Sequence, residues 1–164
     1  MRRAIVSAMV LVAASACGGA GGGGGGPTTG PEAFVGTWNA AGQLSVALFT
    51  PLGPVTSFLP ASGVATIATG SKADGIVLTH ENGCVVPATV SVDRATIADG
   101  TSCTVTSAGS NVTITFHSGT ITRQDANTLS LNASGDSIAT TSGSPLGGGS
   151  GTFTWTGTMT RASP

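Results

Sequence analysis

The chain has 164 residues, a length typical of one domain, and only 8% of them are charged. Outside Arg2 and Arg3 there are four basic residues against seven acidic ones, a net charge of −3, and the basic residues are scattered, which excludes a nucleic-acid-binding surface. Every apolar run is shorter than the roughly 20 residues of a membrane-spanning helix, and recurring short runs of Val, Ile, Leu and Phe exclude a disordered chain.

Residues 1–16 have the layout of a signal peptide, with Arg2 and Arg3 followed by a short apolar segment that ends in Ala-Ser-Ala. The next residue is Cys17, and the segment before it resembles the lipobox of bacterial lipoproteins. That resemblance implies that Cys17 is the first mature residue and carries diacylglycerol and an amide-linked acyl chain such as palmitate. Two alternatives stay open: ordinary cleavage before Cys17 to give a secreted domain, or a leader retained in the membrane.

Residues 17–31 are rich in glycine and predict a flexible tether with a root-mean-square span of about 20 Å. A phosphate-binding loop is excluded because no strand precedes the glycines and no Gly-Lys-Ser/Thr follows them. Gly18 stands where many inner-membrane lipoproteins carry aspartate, so the resemblance implies the outer membrane. The expected partner of this part of the chain is therefore a membrane, reached through the N-terminal lipid.

Residues 32–164 form the predicted folded domain, in which short stretches of alternating apolar and polar residues are separated by turn-forming residues. In residues 111–119, Val112, Ile114 and Phe116 share one face and threonines and His117 the other. The pattern predicts eight to ten β-strands, no helix, and a sheet with one apolar face that must pack on another sheet or close on itself.

Several segments are interpreted as turns or loops between these strands. Gly and Asp residues predict hairpin turns at Asp74, Asp99 and Asp136. Residues 48–60 are apolar and interrupted by proline, which predicts a loop that either caps the core or docks onto a partner.

The segment FVGTWN, with Gly36 and Trp38, resembles the Gly-x-Trp signature of the lipocalins and the wider calycin barrels. In those families the tryptophan lies at the closed end of the barrel, and an arginine from the last strand packs over it. Arg161 ends the last predicted strand here, so the resemblance implies an all-β fold with a single antiparallel up-and-down barrel, closed by Gly36, Trp38 and Arg161. The alternative is that Trp38 is a core aromatic residue of a β-sandwich.

Cys84 and Cys103 remain after Cys17 is assigned to lipid. Each shares a strand face with valines, and exported thiols oxidise, so the two predict a structural disulfide worth roughly 3 kcal/mol. A metal or redox site is disfavoured because no Cys-x-x-Cys and no ligand-spaced histidine pair occurs.

Catalytic signatures are missing from the sequence. It contains no Gly-x-Ser-x-Gly elbow, and His80 and His117 lack the neighbours of a zinc protease or a triad. We therefore expect no enzyme, no cofactor and no metal. The expected function is a lipid-anchored envelope barrel that binds a small apolar ligand or an envelope protein, and the alternative is a scaffold protein with a filled barrel.

Overall fold

The computed structural model describes residues 29–50, 52–107, 110–141 and 148–163. The predicted signal peptide, Cys17 and all of the predicted linker before Thr29 lie outside the described residues. Within the described parts, no helix is long and apolar enough to cross a membrane.

The described residues form one short 3₁₀ helix and ten β-strands, so the all-β prediction is confirmed. The helix covers Pro31–Ala33 and lies just before the first strand. The strands are β1 (Gly36–Thr50), β2 (Gly53–Pro60), β3 (Gly63–Thr69), β4 (Gly75–His80), β5 (Val85–Ser91), β6 (Arg94–Ile97), β7 (Ser102–Ser107), β8 (Ser110–Arg123), β9 (Thr128–Thr141) and β10 (Gly149–Arg161).

Eight of the strands close into an antiparallel ring, which confirms the predicted barrel. The order around the ring is β10, β9, β8, β6, β5, β4, β3 and β1, and β1 pairs again with β10. The closing pair is long, because its register runs from Trp38 opposite Arg161 to Phe49 opposite Ser150. The first and last strands of the ring are thus neighbours, as an up-and-down barrel requires.

The remaining strands, β2 and β7, stand outside the ring and extend one end of it. The strand β2 pairs only with the second half of β1, from Gln43 opposite Pro60 to Thr50 opposite Gly53. The strand β7 pairs with the first half of β8, from Ser102 opposite Thr115 onward. At this end the wall is a six-stranded curved sheet in the order β2, β1, β10, β9, β8, β7, and its two edges leave one side open.

The opposite end of the ring is sealed by the N-terminal segment. Phe34 and Trp38 are fully buried there, and the indole Nε1–H of Trp38 donates to the carbonyl oxygen of Phe34 at 2.9 Å. The guanidinium carbon of Arg161 lies 4.3 Å from the Trp38 ring centre. We call this end the closed end and the other the open end.

Arg161 holds three chain segments together at the closed end. Its guanidinium donates to the carbonyl oxygens of Val35 at 2.9 Å, Ala33 at 3.4 Å and Ala126 at 3.2 Å. Gly36 adopts a φ of +145°, and a Cβ there would lie 2.5 Å from Nη1 of Arg161. Glycine is therefore needed both for the backbone conformation and for the approach of the arginine.

Period-two alternation places the predicted apolar residues inside the barrel. Ile114 and Phe116 are buried, while His117 on the same strand is exposed. Phe116 and Phe153 meet edge to face inside the barrel, with ring centres 5.3 Å apart. The closed end and much of the remaining interior are thus filled by the protein's own side chains.

Two of the turn and loop predictions were wrong. Asp136 does not lie in a turn but in the middle of β9, which runs unbroken from Thr128 to Thr141. The glycine before it, Gly135, faces a bulge in β8 between Phe116 and Ser118, and a Cβ there would collide with the carbonyl oxygen of Thr115. The glycine marks a close backbone approach in a strand and not a turn.

The apolar segment 48–60 is not a loop but a β-hairpin, with β1 continuing to Thr50 and β2 beginning at Gly53. Its prolines were interpreted as strand breakers. Pro54 and Pro60 both lie within β2, an edge strand, where a residue without an N–H is tolerated.

We expect Arg161→Met to lower the free energy of unfolding by about 2–3 kcal/mol, because it removes the cation–π contact and leaves two part-buried carbonyl oxygens without this donor. Arg161→Lys should recover less than half of this loss, since an ammonium cannot reach three carbonyls in different directions. Urea unfolding followed by tryptophan fluorescence measures the change. Arg94→Met, at an exposed position of β6, is the matched control and should change stability by less than about 0.5 kcal/mol.

Candidate functional site

A cavity of about 340 Å³ lies at the open end of the barrel. Thirteen residues from six strands and two connecting loops surround it, and most of them are apolar. They are Leu44, Leu59, Pro60, Ala61, Ser62, His80, Glu81, Asn82, Cys84, Cys103, Val105, Ile114 and Trp155.

The strand registers explain why these residues meet. Leu44 of β1 pairs with Trp155 on one side and with Leu59 on the other, so three large apolar side chains form one wall. Cys103 and Ile114 are a cross-strand pair of β7 and β8 and form the opposite wall. The tilted contact between Trp155 and Phe116, with ring centres 6.5 Å apart, joins the cavity wall to the packed pair of Phe116 and Phe153.

The predicted disulfide between Cys84 and Cys103 is confirmed, and it is part of the cavity wall. It connects Cys84, the residue before β5, to β7, and β5 and β7 share no backbone ladder. The backbone ladder of β7 is formed with β8. The covalent bond therefore holds the wall in place on the side where the hydrogen-bonded ring has ended.

His80 is the last residue of β4, and it is buried in the cavity wall with 7% of its surface exposed. Its ring stands edge-on to Trp155, with ring centres 6.5 Å apart and an angle of 73° between the planes. The backbone N–H of Asn82 donates to Nδ1 of His80 at 3.3 Å. Since Nδ1 accepts this bond, the proton of the neutral ring belongs on Nε2.

The loop that follows His80 is held by hydrogen bonds of its own. Oδ1 of Asn82 accepts from the N–H of Cys84 at 3.0 Å, and Oε2 of Glu81 accepts from the N–H of Val64 at 3.0 Å. The backbone N–H of His80 donates to the carbonyl oxygen of Cys84 at 2.9 Å. The polar rim of the cavity is therefore ordered before any ligand binds.

A second polar group lies on the outer surface, away from the cavity. His117 lies at the bulge of β8, where its Nε2 is 2.8 Å from Oδ2 of Asp136 and its Nδ1 is 3.2 Å from Oδ1 of Asp99. The hydrogen bond to Asp136, followed by that to Asp99, raises the pKa of His117 above 6.5. In the described part of the chain, no group of three or more His, Cys, Asp and Glu residues is arranged to hold a metal ion.

The residues singled out from the sequence therefore fall into three places. Cys84 and Cys103 line the cavity, Gly36, Trp38 and Arg161 lie together at the closed end, and Cys17 is outside the described residues. The sequence reasoning missed the cavity roles of two further residues.

Those two are His80, considered from the sequence only as a catalytic residue, and Trp155, not singled out from the sequence. The apolar alternation around Trp155 indicates that it points inward, but its position next to a void depends on the strand register.

No family model matches the chain, and no curated protein matches it. A solved structure described as "Structure of EF1p2_mFAP2b bound to DFHBI" is similar to it, with a TM-score of 0.37 and 20% sequence identity. The match covers 80% of this chain and 95% of that chain. A likeness of this degree leaves the function to be argued from the residues of this chain.

We expect His117 to stabilise the fold more at acidic than at alkaline pH. Its pKa is raised in the folded state, so its contribution is complete below pH 6.5 and is lost as the pH rises through the folded-state pKa. The difference in Tm between the native chain and His117→Gln should therefore be larger near pH 5.5 than near pH 8.5.

A proton NMR titration of His117 tests the cause of that difference. Asp136→Asn should lower the pKa of His117 more than Asp99→Asn does, because the hydrogen bond to Asp136 is the larger cause of the increase. Equal pKa values in all three proteins would contradict the assignment.

Proposed function

We propose that this chain is an envelope protein, anchored by lipid on Cys17, whose barrel binds one small and mainly apolar ligand at its open end. The observation that carries the proposal is the cavity of about 340 Å³ with its largely apolar wall. Ligand sites in proteins typically occupy about 300–1,000 Å³ and combine apolar walls with a few fixed polar groups. The volume suits a molecule of about two fused rings.

The proposal is binding without catalysis. Glu81 and Asn82 both accept hydrogen bonds from backbone N–H groups of the rim. His80 uses Nδ1 in the same way, so these three side chains position the loop and do not activate one another. The rim then selects and retains a ligand and offers no nucleophile paired with a base.

The described chain begins at the closed end of the barrel, opposite the cavity. The backbone N–H of Gly30, near the start of the described chain, donates to the carbonyl oxygen of Val92 at the closed end. A tether from Cys17 would enter there, and the cavity would then open away from the point of attachment. Burial of three acyl chains at about 0.8 kcal/mol per methylene would make the attachment effectively permanent.

A scaffold function is the second candidate, and the β1–β2 hairpin favours it. Phe49, Leu52 and Phe58 of this hairpin are 71%, 77% and 64% exposed. An exposed apolar hairpin on an envelope barrel fits a protein partner in the same compartment. If the cavity binds nothing, this surface becomes the better explanation of the fold.

Binding can be tested with N-phenyl-1-naphthylamine, an uncharged apolar probe whose fluorescence rises in an apolar site. We expect saturable binding of one probe per chain and its loss in Ala61→Trp, because the indole fills the cavity that Ala61 lines. Ala41→Trp, on the exposed face of β1, is the matched control and should bind as the native chain does. Equal binding by the two variants, or none by the native chain, would contradict the proposal.

The anchor can be tested by mass spectrometry of the full chain, purified from a bacterial host that processes lipoproteins. We expect a mature chain that begins at Cys17 and carries the mass of diacylglycerol and one acyl chain. Cys17→Ser should move the protein out of the membrane fraction with the Cys84–Cys103 bond intact. A native chain that begins at Cys17 without added mass would indicate ordinary secretion.

A further inference from the structure

His80 has one ring nitrogen left for a ligand. Nδ1 is taken by the N–H of Asn82, which leaves the proton on Nε2. Among the described residues, Nε2 has no hydrogen-bond partner. If Nε2 were also sealed from solvent, it would be a buried polar atom without a partner. Among the described residues, the one side-chain atom of that kind is Oγ of Ser137. The Nε2–H of His80 is therefore accessible, although more than nine-tenths of the residue is buried.

The accessible part of the ring belongs to the cavity that His80 lines. Its rotation is limited by the edge-on contact with Trp155 and by the bond to Asn82, so the direction of Nε2 does not depend on a ligand. A fixed donor in an apolar wall discriminates strongly, because a ligand without an acceptor leaves that donor unpaired.

The charges around the cavity decide which acceptor fits. Glu81 is the one charged residue in the described wall, and neither Lys nor Arg lines it. A carboxylate or phosphate ligand would meet a like charge with no cation to offset it. An uncharged oxygen meets no like charge that needs an offsetting cation, and it can accept from the fixed Nε2–H of His80.

We propose that the cavity selects an uncharged, mainly apolar molecule with one carbonyl oxygen, which accepts a hydrogen bond from Nε2–H of His80. The inference rests on the proposed binding function and adds the chemical class of its ligand. Leu44, Leu59 and Ile114 would contact the apolar body, and Trp155 would lie beside both the body and the histidine. His80 would be the specificity-determining residue.

The test uses two probes of the same shape, 2-acetylnaphthalene and 2-isopropenylnaphthalene, which differ in a carbonyl oxygen against a methylene. Their affinities are measured by displacement of N-phenyl-1-naphthylamine from the native chain, His80→Phe and His80→Gln. The alkene is more hydrophobic than the ketone and therefore binds any apolar site more strongly. For this reason the ratio of the two affinities, and not either affinity alone, is compared between the three proteins.

We expect His80→Phe to lower the affinity for the ketone relative to the alkene by about threefold to tenfold, the effect of one net hydrogen bond. His80→Gln keeps an N–H donor and should recover part of the ratio. The same ratio in the native chain and in His80→Phe would overturn the inference while leaving the proposed binding function intact. If the naphthylamine probe does not bind the native chain, the proposed function itself fails.

A measurement on the native chain keeps the test independent of the folding of the variants. Long-range ¹⁵N–¹H spectra separate the two histidines, and His117→Gln assigns them. Addition of the ketone should move the Nε2 resonance of His80, and the alkene should not. Identical shifts with both probes would overturn the inference.

Discussion

The antiparallel pairing of β1 with β10 is the constraint on which the rest of the molecule depends. It joins the two ends of the folded domain along almost the whole length of β1. Every other strand of the ring lies between these two in the chain, so closure at this seam fixes the circumference. Arg161 reinforces the seam at its end, where the backbone ladder stops and the guanidinium bonds to Val35 and Ala33 instead.

The unequal lengths of the strands then produce the cavity. The strands β1, β8, β9 and β10 have 13 to 15 residues, whereas β3, β4, β5 and β6 have four to seven. The ring is complete only where the short strands reach. Beyond that point the long strands continue as one wall of the cavity, which includes Trp155. The loop after His80 and the disulfide line the cavity as well.

The sequence predicts the parts of this fold that depend on neighbouring residues. Alternation identifies the inward residues of β8 and β10, because side chains of a strand point to opposite faces in turn. The pairing of Cys84 with Cys103 follows from their count and their apolar faces. The antiparallel barrel follows from alternating strands and from the resemblance carried by Trp38 and Arg161.

The features that could not be predicted from the sequence depend on strand register and strand length. A Gly-Asp pair such as Gly135 and Asp136 looks the same in sequence whether it forms a turn or lies in a strand opposite a bulge. The pairing of β8 with β9 distinguishes the two cases. The hairpin of residues 48–60 was misjudged because prolines that break a central strand are tolerated at an edge. The role of His80 depends on Trp155, which is distant in the chain and lies edge-on to its ring. It also depends on Asn82, which is near in the chain and whose N–H bonds to Nδ1.

The free edge of β2 explains why the open side stays open. The N–H of Ala61 donates to the carbonyl oxygen of Gly42, so alternation turns the N–H groups of the even-numbered residues of β2 away from β1. Two of those positions are Pro54 and Pro60, which leaves Thr56 and Phe58 as the donors on that edge. A further strand would find too few donors to extend the sheet toward β7. The edge of β2 therefore resists extension by another strand, which would otherwise close the sheet over the cavity.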